Sequence, residues 1–83
     1  MDIRELKYFI QIADSASYSS AAEKLYISQP ALSKVIQKME EELGYDLFFT
    51  HQRQQKLTSE GERFYYKASR LVDEYNDLLK PPQ

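Results

Sequence analysis

Apolar residues recur at helical spacing in four stretches of the chain, and the first stretch predicts a helix that begins at Asp2. Asp2 is a good N-cap, and Glu5 follows it at the spacing of a capping box. The polar segment 14–17 interrupts the pattern, because short polar side chains compete for backbone hydrogen bonds. The expected buried stripe of this helix is Leu6, Phe9, Ile10 and Ala13.

A second, short helix is predicted to begin near Ser19 or Ser20. Glu23 again stands at capping-box spacing from Ser20. The small side chains on its apolar face would let another helix pass at close distance. The residues expected on that face are Ala21, Ala22 and Leu25.

The third predicted helix starts at Ser28, a good N-cap, and carries Pro30 in its first turn, where a missing N–H is tolerated. Gly44 follows the last apolar position, as a left-handed C-cap would. The expected inward residues are Leu32, Val35, Ile36, Met39 and Leu43. The opposite face is uncharged or positive and consists of Gln29, Ser33, Lys34 and Gln37.

A small β-hairpin is predicted between the third and the fourth helix. Residues 47–49 and 56–57 are short β-prone pieces on either side of the polar segment 51–55. Tight hairpin turns favour glycine, and this connection contains none. The sequence therefore predicts the hairpin but leaves the geometry of its turn open.

A long final helix is predicted, capped by Thr58 or Ser59 and ended by Pro81 and Pro82. Its apolar residues step by four and three, which is heptad spacing, and a second stripe runs beside the first. This is more apolar surface than one small core needs, so we expect a dimer interface, with a packing face for a further domain as the alternative. The expected interface residues are Phe64, Ala68, Leu71, Val72, Tyr75, Leu78 and Leu79.

Composition limits the classes of function that are open to the chain. With 83 residues it fits one small domain, which leaves little room for an enzyme cleft with a supporting shell. It contains no cysteine and one histidine, His51, so neither disulfides nor a zinc site are expected. No apolar run exceeds three residues, which excludes a membrane span. We therefore expect a cytoplasmic protein with no metal, no cofactor and no catalytic residue, whose tyrosines are core and interface residues.

Charge is distributed unevenly, although the formal net charge is only −2. Residues 28–39 contain two lysines and no acidic residue, and residues 47–58 contain one arginine, one lysine and no acidic residue. Between them, residues 40–46 carry four acidic groups. Because local sign decides where a phosphate can approach, the two acid-free segments are the candidate nucleic-acid surfaces.

The predicted order of helix, short helix, turn and helix with a polar outer face is that of a helix-turn-helix motif. The hairpin after it adds a wing. We therefore expect a mainly α fold, with a winged helix-turn-helix of three helices and a small β-hairpin wing over residues 1–58. A long dimerisation or linker helix follows over residues 59–83. This fold favours sequence-specific binding of double-stranded DNA.

Several short segments stand together in one register: AAEKL at 21–25, ISQPALSK at 27–34, Ile36, EEELG at 40–44, LF at 47–48, and LT at 57–58 with Gly61. In this combination the sequence resembles the LysR-type transcriptional regulators over residues 1 to about 75. The resemblance implies a regulator that binds DNA as a homodimer through its fourth helix. It also implies a larger C-terminal domain for a small-molecule effector, for which this chain has no room.

The resemblance also implies which residues contact DNA. Positions in the family that match the start of the third helix face the major groove or flanking phosphates, and the position matching Arg53 reaches the minor groove from the wing. The chemistry agrees, because glutamine can pair with an adenine edge, serine can meet several bases, and lysines position a helix on phosphates. The expected DNA-binding residues are Ser28, Gln29, Pro30, Ser33, Lys34, Gln37, Lys38 and Arg53.

Two positions depart from the family's pattern. Thr50 stands where a basic residue is usual, which removes one expected phosphate contact, and Gln52 stands where the wing usually has glycine. The alternative class of function is a protein-interaction module whose winged fold does not bind DNA. Such a module has no reason to keep residues 28–38 free of carboxylates, and retention on heparin that is lost with salt would distinguish the two classes.

Overall fold

The computed structural model describes residues 1–82, which form four α-helices and one two-stranded antiparallel sheet. This confirms the predicted mainly α, winged helix-turn-helix order with a long helix after the wing. The last residue of the predicted linker range, Gln83, lies outside the described residues. In chain order the elements are α1 (Ile3–Ser15), α2 (Tyr18–Leu25), α3 (Gln29–Leu43), β1 (Phe48–His51), β2 (Gln54–Leu57) and α4 (Ser59–Leu79).

The hydrophobic core gathers side chains from all four helices and from residues 47–48 at the start of the wing. The ring of Phe9 lies at its centre, 5.0 Å from the ring of Phe64 in an edge-to-face pair and 5.3 Å from that of Phe48. Such aromatic pairs add to the free energy that burial itself supplies. The largest fully buried side chains are Phe9, Ile12, Leu32, Ile36, Met39 and Leu47.

The first helix is capped as predicted but uses its acidic residue differently. Asp2 Oδ1 accepts a hydrogen bond from the Glu5 amide at 2.9 Å. The expected capping box is wrong in its second half, because the buried Glu5 carboxylate contacts the Lys38 ammonium of α3 at 3.5 Å. The expected stripe also missed Ile12, which is fully buried beside Phe9.

The second helix begins at Tyr18, one or two residues before the predicted start near Ser19 or Ser20. Ser17, which has an extended backbone, is the N-cap, and its hydroxyl accepts a hydrogen bond from the Ser20 amide at 3.1 Å. Ser20 and Glu23 both lie inside α2 and form no capping box. Ala16, in the left-handed region at φ 58°, has already ended α1, so only two residues separate the helices.

The third helix has the predicted ends. The hydroxyl of Ser28 accepts a hydrogen bond from the Ala31 amide at 3.2 Å. Gly44 terminates the helix at φ 82°, with its N–H donating to the Glu40 carbonyl at 2.8 Å. Of the five residues expected to point inward, Leu32, Ile36 and Met39 are fully buried and the other two are half-buried.

The hairpin exists as predicted, but its strands are longer and its turn is shorter. His51 pairs with Gln54, so the connection is a two-residue turn of Gln52 and Arg53. Both turn residues have positive φ, 50° and 64°, as the tight turns that match strand twist require. Glycine adopts this conformation without strain, so the turn forms here at some local cost.

The fourth helix begins where predicted, and its first half belongs to the core. Thr58 is the N-cap and accepts a hydrogen bond from the Gly61 amide at 2.9 Å. Phe64 and Ala68 pack against the core, so the boundary predicted at residue 58 marks the start of a helix and not the end of the core. Ala68 is only 2% exposed, so its assignment to a dimer interface is wrong.

Candidate nucleic-acid interface

The outer face of α3 is the largest group of predicted DNA-binding residues that the fold brings together. Ser28, Gln29, Pro30, Lys34 and Gln37 are exposed, and Ser33 is half-buried between them. The opposite face of the same helix supplies the core, so its backbone is held rigidly in place. The polar side chains are thus presented on a fixed support, as base recognition requires.

The start of α3 leaves two backbone amides for an external acceptor. The Ala31 amide is bound by the hydroxyl of Ser28, and Pro30 has no N–H. Within the described residues, the amides of Ser28 and Gln29 have no acceptor, and they lie at the positive end of the helix dipole. An oxygen of a phosphate group fits this position.

The two lysines of α3 differ in their surroundings. The Lys38 ammonium forms an ion pair with the Glu5 carboxylate, whose side chain is 7% exposed. Lys34 takes part in none of the ion pairs found within residues 1–82. The positive charge of Lys34 is thus available to a phosphate, whereas that of Lys38 is partly neutralised by α1.

The wing presents Arg53 at its tip and is fixed at its base. Arg53 is exposed and, among the described residues, forms no ion pair. The Gln55 amide of β2 donates to the Ala16 carbonyl at 3.0 Å, which ties the wing to the turn between α1 and α2. His51 is also exposed on the wing. The guanidinium is therefore carried on an anchored hairpin rather than a loose loop.

A carboxylate that sequence reasoning did not single out links α3 to the wing. Glu40 accepts hydrogen bonds from the amides of Leu47 at 2.7 Å and Phe48 at 3.4 Å. In the sequence it is one of four acids in residues 40–46, and nothing there distinguishes it from its neighbours. Burial, followed by the charge of Glu40, raises the pKa of the nearby Tyr18 to about 12.

Tyr26 was also missed, since the tyrosines were interpreted as core and interface residues. It is 94% exposed and stands in the turn between α2 and α3, two residues before Ser28. Its backbone is left-handed, at φ 58°. This tyrosine is therefore part of the surface beside α3 and contributes nothing to the core.

The second half of α4 exposes the remaining residues of the predicted dimer interface. Leu71 is 57% exposed, Leu78 77% and Leu79 66%, while Val72 is half-buried. Beside Leu71, an open groove of about 610 Å³ runs between α1 and α4, lined in part by Leu6 and Phe64. This apolar surface is continuous with the exposed leucines.

Within the described residues, every helix is too short or too polar to traverse a lipid bilayer. The same residues contain no cluster of three His, Asp or Glu side chains that would hold a metal ion. The exposed features of the molecule are thus the polar face of α3, the wing and the apolar stripe of α4.

A family profile described as the bacterial regulatory helix-turn-helix protein of the lysR family matches residues 3–62. The HTH-type transcriptional regulator BenM of Acinetobacter baylyi is 40% identical over 79 residues, which is 95% of this chain and 26% of that protein. The regulator BsdA of Bacillus subtilis is 42% identical over 80 residues, or 95% of this chain and 28% of that protein. The chain thus spans about a quarter of the length of these curated relatives.

Solved structures of DNA complexes share this fold. The crystal structure of the BenM DNA-binding domain with catB site 1 DNA superimposes with a TM-score of 0.91 and 40% identity, covering 95% of this chain and 85% of that chain. The complex of the CbnR DNA-binding domain with DNA gives a TM-score of 0.87 and 34% identity, covering 93% and 88%.

Proposed function

The chain belongs to the lysR family of bacterial regulatory helix-turn-helix proteins, and we infer that it binds double-stranded DNA sequence-specifically and regulates transcription. Its relatives are named as regulators and not as enzymes. The observation that carries the proposal is the division of α3 into a buried apolar face and an exposed polar face. A helix held in this way can enter the major groove without rearrangement.

We propose that the first half of α3 reads bases. Gln29 lies at its first position, where a side chain reaches base edges, and its amide group can pair with adenine through two hydrogen bonds. Ser33 lies one turn further on and can meet several bases. Ser28 and Pro30 flank Gln29 on the same turn, close to the phosphate that the Gln29 amide would bind. Gln37 extends this polar face by one more turn.

Lysines serve a different purpose in this proposal. Lys34 contacts a phosphate and positions the helix without specifying sequence. Lys38 contributes less than Lys34, because its ammonium already contacts the Glu5 carboxylate. We therefore expect Lys38 to orient α3 on α1 as much as it orients the helix on DNA.

Gln29→Ala and Lys34→Ala test these two roles against each other. The Gln29 variant should lose discrimination at particular base pairs by about 1–3 kcal/mol. The Lys34 variant should weaken binding to all sequences alike and reduce the salt slope by about one unit. Affinities for a panel of single-base operator variants at several salt concentrations measure both effects. A uniform loss in both variants would show that Gln29 contacts no base.

The wing carries Arg53 toward the minor groove that flanks the major-groove site. Narrow A·T-rich segments concentrate negative potential and favour an inserted arginine. Arg53→Ala should therefore weaken binding most on operators with A·T-rich flanks. Arg53→Lys should restore only part of the affinity, because an ammonium is more strongly hydrated than a guanidinium. Equal losses on A·T-rich and G·C-rich flanks would reduce Arg53 to a phosphate contact.

We propose that the chain forms a homodimer through α4. The exposed part of the predicted stripe, Leu71 to Leu79, is continuous with the apolar groove beside α1. The charges of the helix favour an antiparallel pair. Residues 63–70 contain three basic residues and no acid, whereas residues 71–79 contain three acids and no basic residue. Antiparallel helices would place these segments opposite each other, so that a second copy of the chain complements both charge and apolarity.

Leu71→Asp tests the dimer, because it places a carboxylate in the apolar seam. An unpaired charge there should weaken association by several kcal/mol. Sedimentation should show a monomer, while circular dichroism should show unchanged helix content, since Leu71 is largely exposed within one chain. An unchanged dimer would place the interface elsewhere. In the dimer, two copies of α3 would occupy major grooves about one turn apart, roughly 34 Å, or a multiple of it.

The site of action follows from the target. A regulator of bacterial transcription works where the chromosome lies, so we infer the cytoplasm. A small-molecule effector would act through a C-terminal domain of the kind that the family resemblance implies. Neither a metal nor a cofactor enters this proposal.

A further inference from the structure

A short hydrogen bond joins α4 to α1 away from the exposed face of α3. The Tyr65 hydroxyl donates to Asp14 Oδ1 at 2.6 Å, between residues 51 positions apart in the sequence. This length is typical of a hydrogen bond to an ionised acceptor. The same bond raises the pKa of Tyr65, as expected when a neutral hydroxyl is the donor.

Local structure does not account for the carboxylate at this position. Asp14 lies in the last turn of α1, which contains no basic residue. A negative charge near the C-terminus of a helix is unfavourable, because the helix dipole already places partial negative charge there. The contact with Tyr65 is therefore the interaction that offsets this cost.

The C-terminal end of α1 contacts both α4 and the wing. Asp14 binds α4, and two residues later the Ala16 carbonyl accepts the hydrogen bond from the Gln55 amide of β2. At the other end of the contact between α1 and α4, the Lys7 ammonium lies 5.6 Å from the ring of Tyr75. Outside the core, α4 thus contacts α1 at two separated points, and the end of α1 also contacts the wing.

We propose that Tyr65 and Asp14 are a positioning pair that sets the half-site spacing this regulator selects. The inference rests on the proposed dimer, in which α4 carries the interface and α3 carries the reading surface. The angle between α4 and the rest of each chain then determines how far apart the two copies of α3 stand. Within one chain, Tyr65 packs against α1 through Phe9 and Asp14, and it lies on neither the polar face of α3 nor the wing.

The dimensions of DNA make such a bond an effective restraint. One base pair of extra spacing moves a half-site by about 3.4 Å and turns it about the helix axis. A hydrogen bond of 2.6 Å is lost when it lengthens by about 1 Å. A dimer that adapts to a wrong spacing by tilting α4 must therefore break the bond in at least one copy. Binding to a wrongly spaced site therefore loses the free energy of this bond, which lowers the affinity for that site relative to the optimally spaced one.

The test measures affinity for a series of DNA duplexes whose two half-sites are moved apart one base pair at a time. In Tyr65→Phe, the ratio of affinities between the optimal spacing and its neighbours should fall by about fivefold, which is the net contribution expected of one solvent-exposed hydrogen bond. Asp14→Ala should do the same. Asp14→Asn should keep most of the selectivity, because its amide oxygen still accepts from Tyr65. Affinity for a duplex with a single half-site should change by less than about twofold, since neither side chain belongs to the polar face of α3 or to the wing.

Tyr66→Phe is the matched control. Tyr66 is the next residue on α4, is 62% exposed, and lies beside Arg70 instead of α1. Its spacing profile should equal that of the wild type. A Tyr65→Phe profile identical to the wild type would overturn the inference, and so would an equal loss on single and paired half-sites. A wild type without any spacing optimum would instead overturn the proposed dimer, and the positioning role with it.

Discussion

The two longest helices have similar patterns of apolar residues but different surroundings. In α3, the inward residues Leu32, Ile36 and Met39 are fully buried within the chain. In the second half of α4, Leu71 and Leu78 are 57% and 77% exposed. Within one chain, the inward face of α3 is thus covered, whereas the apolar face in the second half of α4 is largely exposed.

This difference teaches what an amphipathic pattern can and cannot specify. The pattern says which face of a helix is apolar, since burial of that face stabilises any folded arrangement. It does not say whether that face is covered by the same chain or by another one. Heptad spacing adds a hint toward a second helix, but the first half of the stripe, at Phe64 and Ala68, packs into the core of its own chain.

The largest expected effect comes from truncating one apolar residue in each helix. Ile36→Ala should lower the free energy of unfolding by about 2–5 kcal/mol, because it leaves a cavity among fully buried neighbours. Leu78→Ala should change it by less than about 0.5 kcal/mol, because Leu78 contacts little within one chain. Urea denaturation in a Leu71→Asp background, which removes association, measures both. Equal costs would mean that α4 is packed within one chain as tightly as α3.

The glycines at the end of α3 and the start of α4 provide the next comparison. A Cβ at Gly61 would overlap the backbone carbonyl oxygen of Leu47, so Gly61→Ala should cost about 1–3 kcal/mol or displace α4. Gly44 has open space around it but a φ of 82°, so Gly44→Ala should cost about 1 kcal/mol through backbone strain alone.

Thermal unfolding separates the two costs, and the spacing of half-sites that the dimer selects should change only in Gly61→Ala. A Gly44→Ala variant that costs more than Gly61→Ala would contradict the close approach of α4 to Leu47.

Alkaline pH should lower the free energy of unfolding through two tyrosines, Tyr18, which lies near Glu40 of α3, and Tyr65, which lies on α4. The pKa of Tyr18 is raised to about 12, first by burial and second by the charge of Glu40 on α3, and that of Tyr65 on α4 is raised by its bond to Asp14. Both groups are neutral in the folded state when they would already ionise in the unfolded chain. The stabilisation from Tyr18 is therefore present below pH 10 and is lost as the pH rises through about 12, and the stabilisation from Tyr65 is likewise lost above pH 10.

The loss from Tyr18 should be about 1–2 kcal/mol, because the group is only partly shielded from solvent. Unfolding measured between pH 9 and 12 should show a smaller slope in Tyr18→Phe than in the wild type. In Asp14→Asn, absorbance titration should show Tyr65 ionising at lower pH. A slope that Tyr18→Phe leaves unchanged would exclude Tyr18 as a source of the pH dependence.

The smallest expected effect comes from the turn of the wing, which lies between α3 and α4 in the sequence. Gln52→Gly should stabilise the protein by up to about 1 kcal/mol, because glycine adopts φ 50° without strain. Arg53→Gly relieves the same strain at φ 64° but removes the guanidinium. Gln52→Gly should therefore raise the melting temperature without lowering DNA affinity. Arg53→Gly should also raise the melting temperature but should lower DNA affinity. A loss of affinity in Gln52→Gly would show that its side chain also contacts DNA.

Much of the fold could be predicted because it depends on short-range chemistry. Ser28, Gly44 and Thr58 mark helix ends through contacts within a few residues, and all three behave as their types predict. The start of α2 could not be read in the same way. Ser17 and Ser20 are both suitable caps, and the choice depends on where Ala16 ends α1.

The candidate site was predictable where side chains point outward and unpredictable where they meet another element. The exposure of Gln29 and Lys34 follows from the helical period. The contacts of Lys38 with Glu5 and of Tyr65 with Asp14 join residues 33 and 51 positions apart. No local pattern encodes such a pairing, because it depends on how the helices cross.

Glu40 joins the two parts of the proposed DNA-binding surface, α3 and the wing, within one continuous stretch of sequence. Because Glu40 accepts hydrogen bonds from the amides at the start of the wing, residues 28–58 contain the contact that joins the helix to the hairpin. Grafting this block into a related regulator should transfer major-groove and minor-groove preferences in one step. Grafting α3 alone into a host without a carboxylate at that position should transfer only the first. The preferred half-site spacing should stay with the host in both cases, because the contact between α1 and α4 that is proposed to set it lies outside residues 28–58.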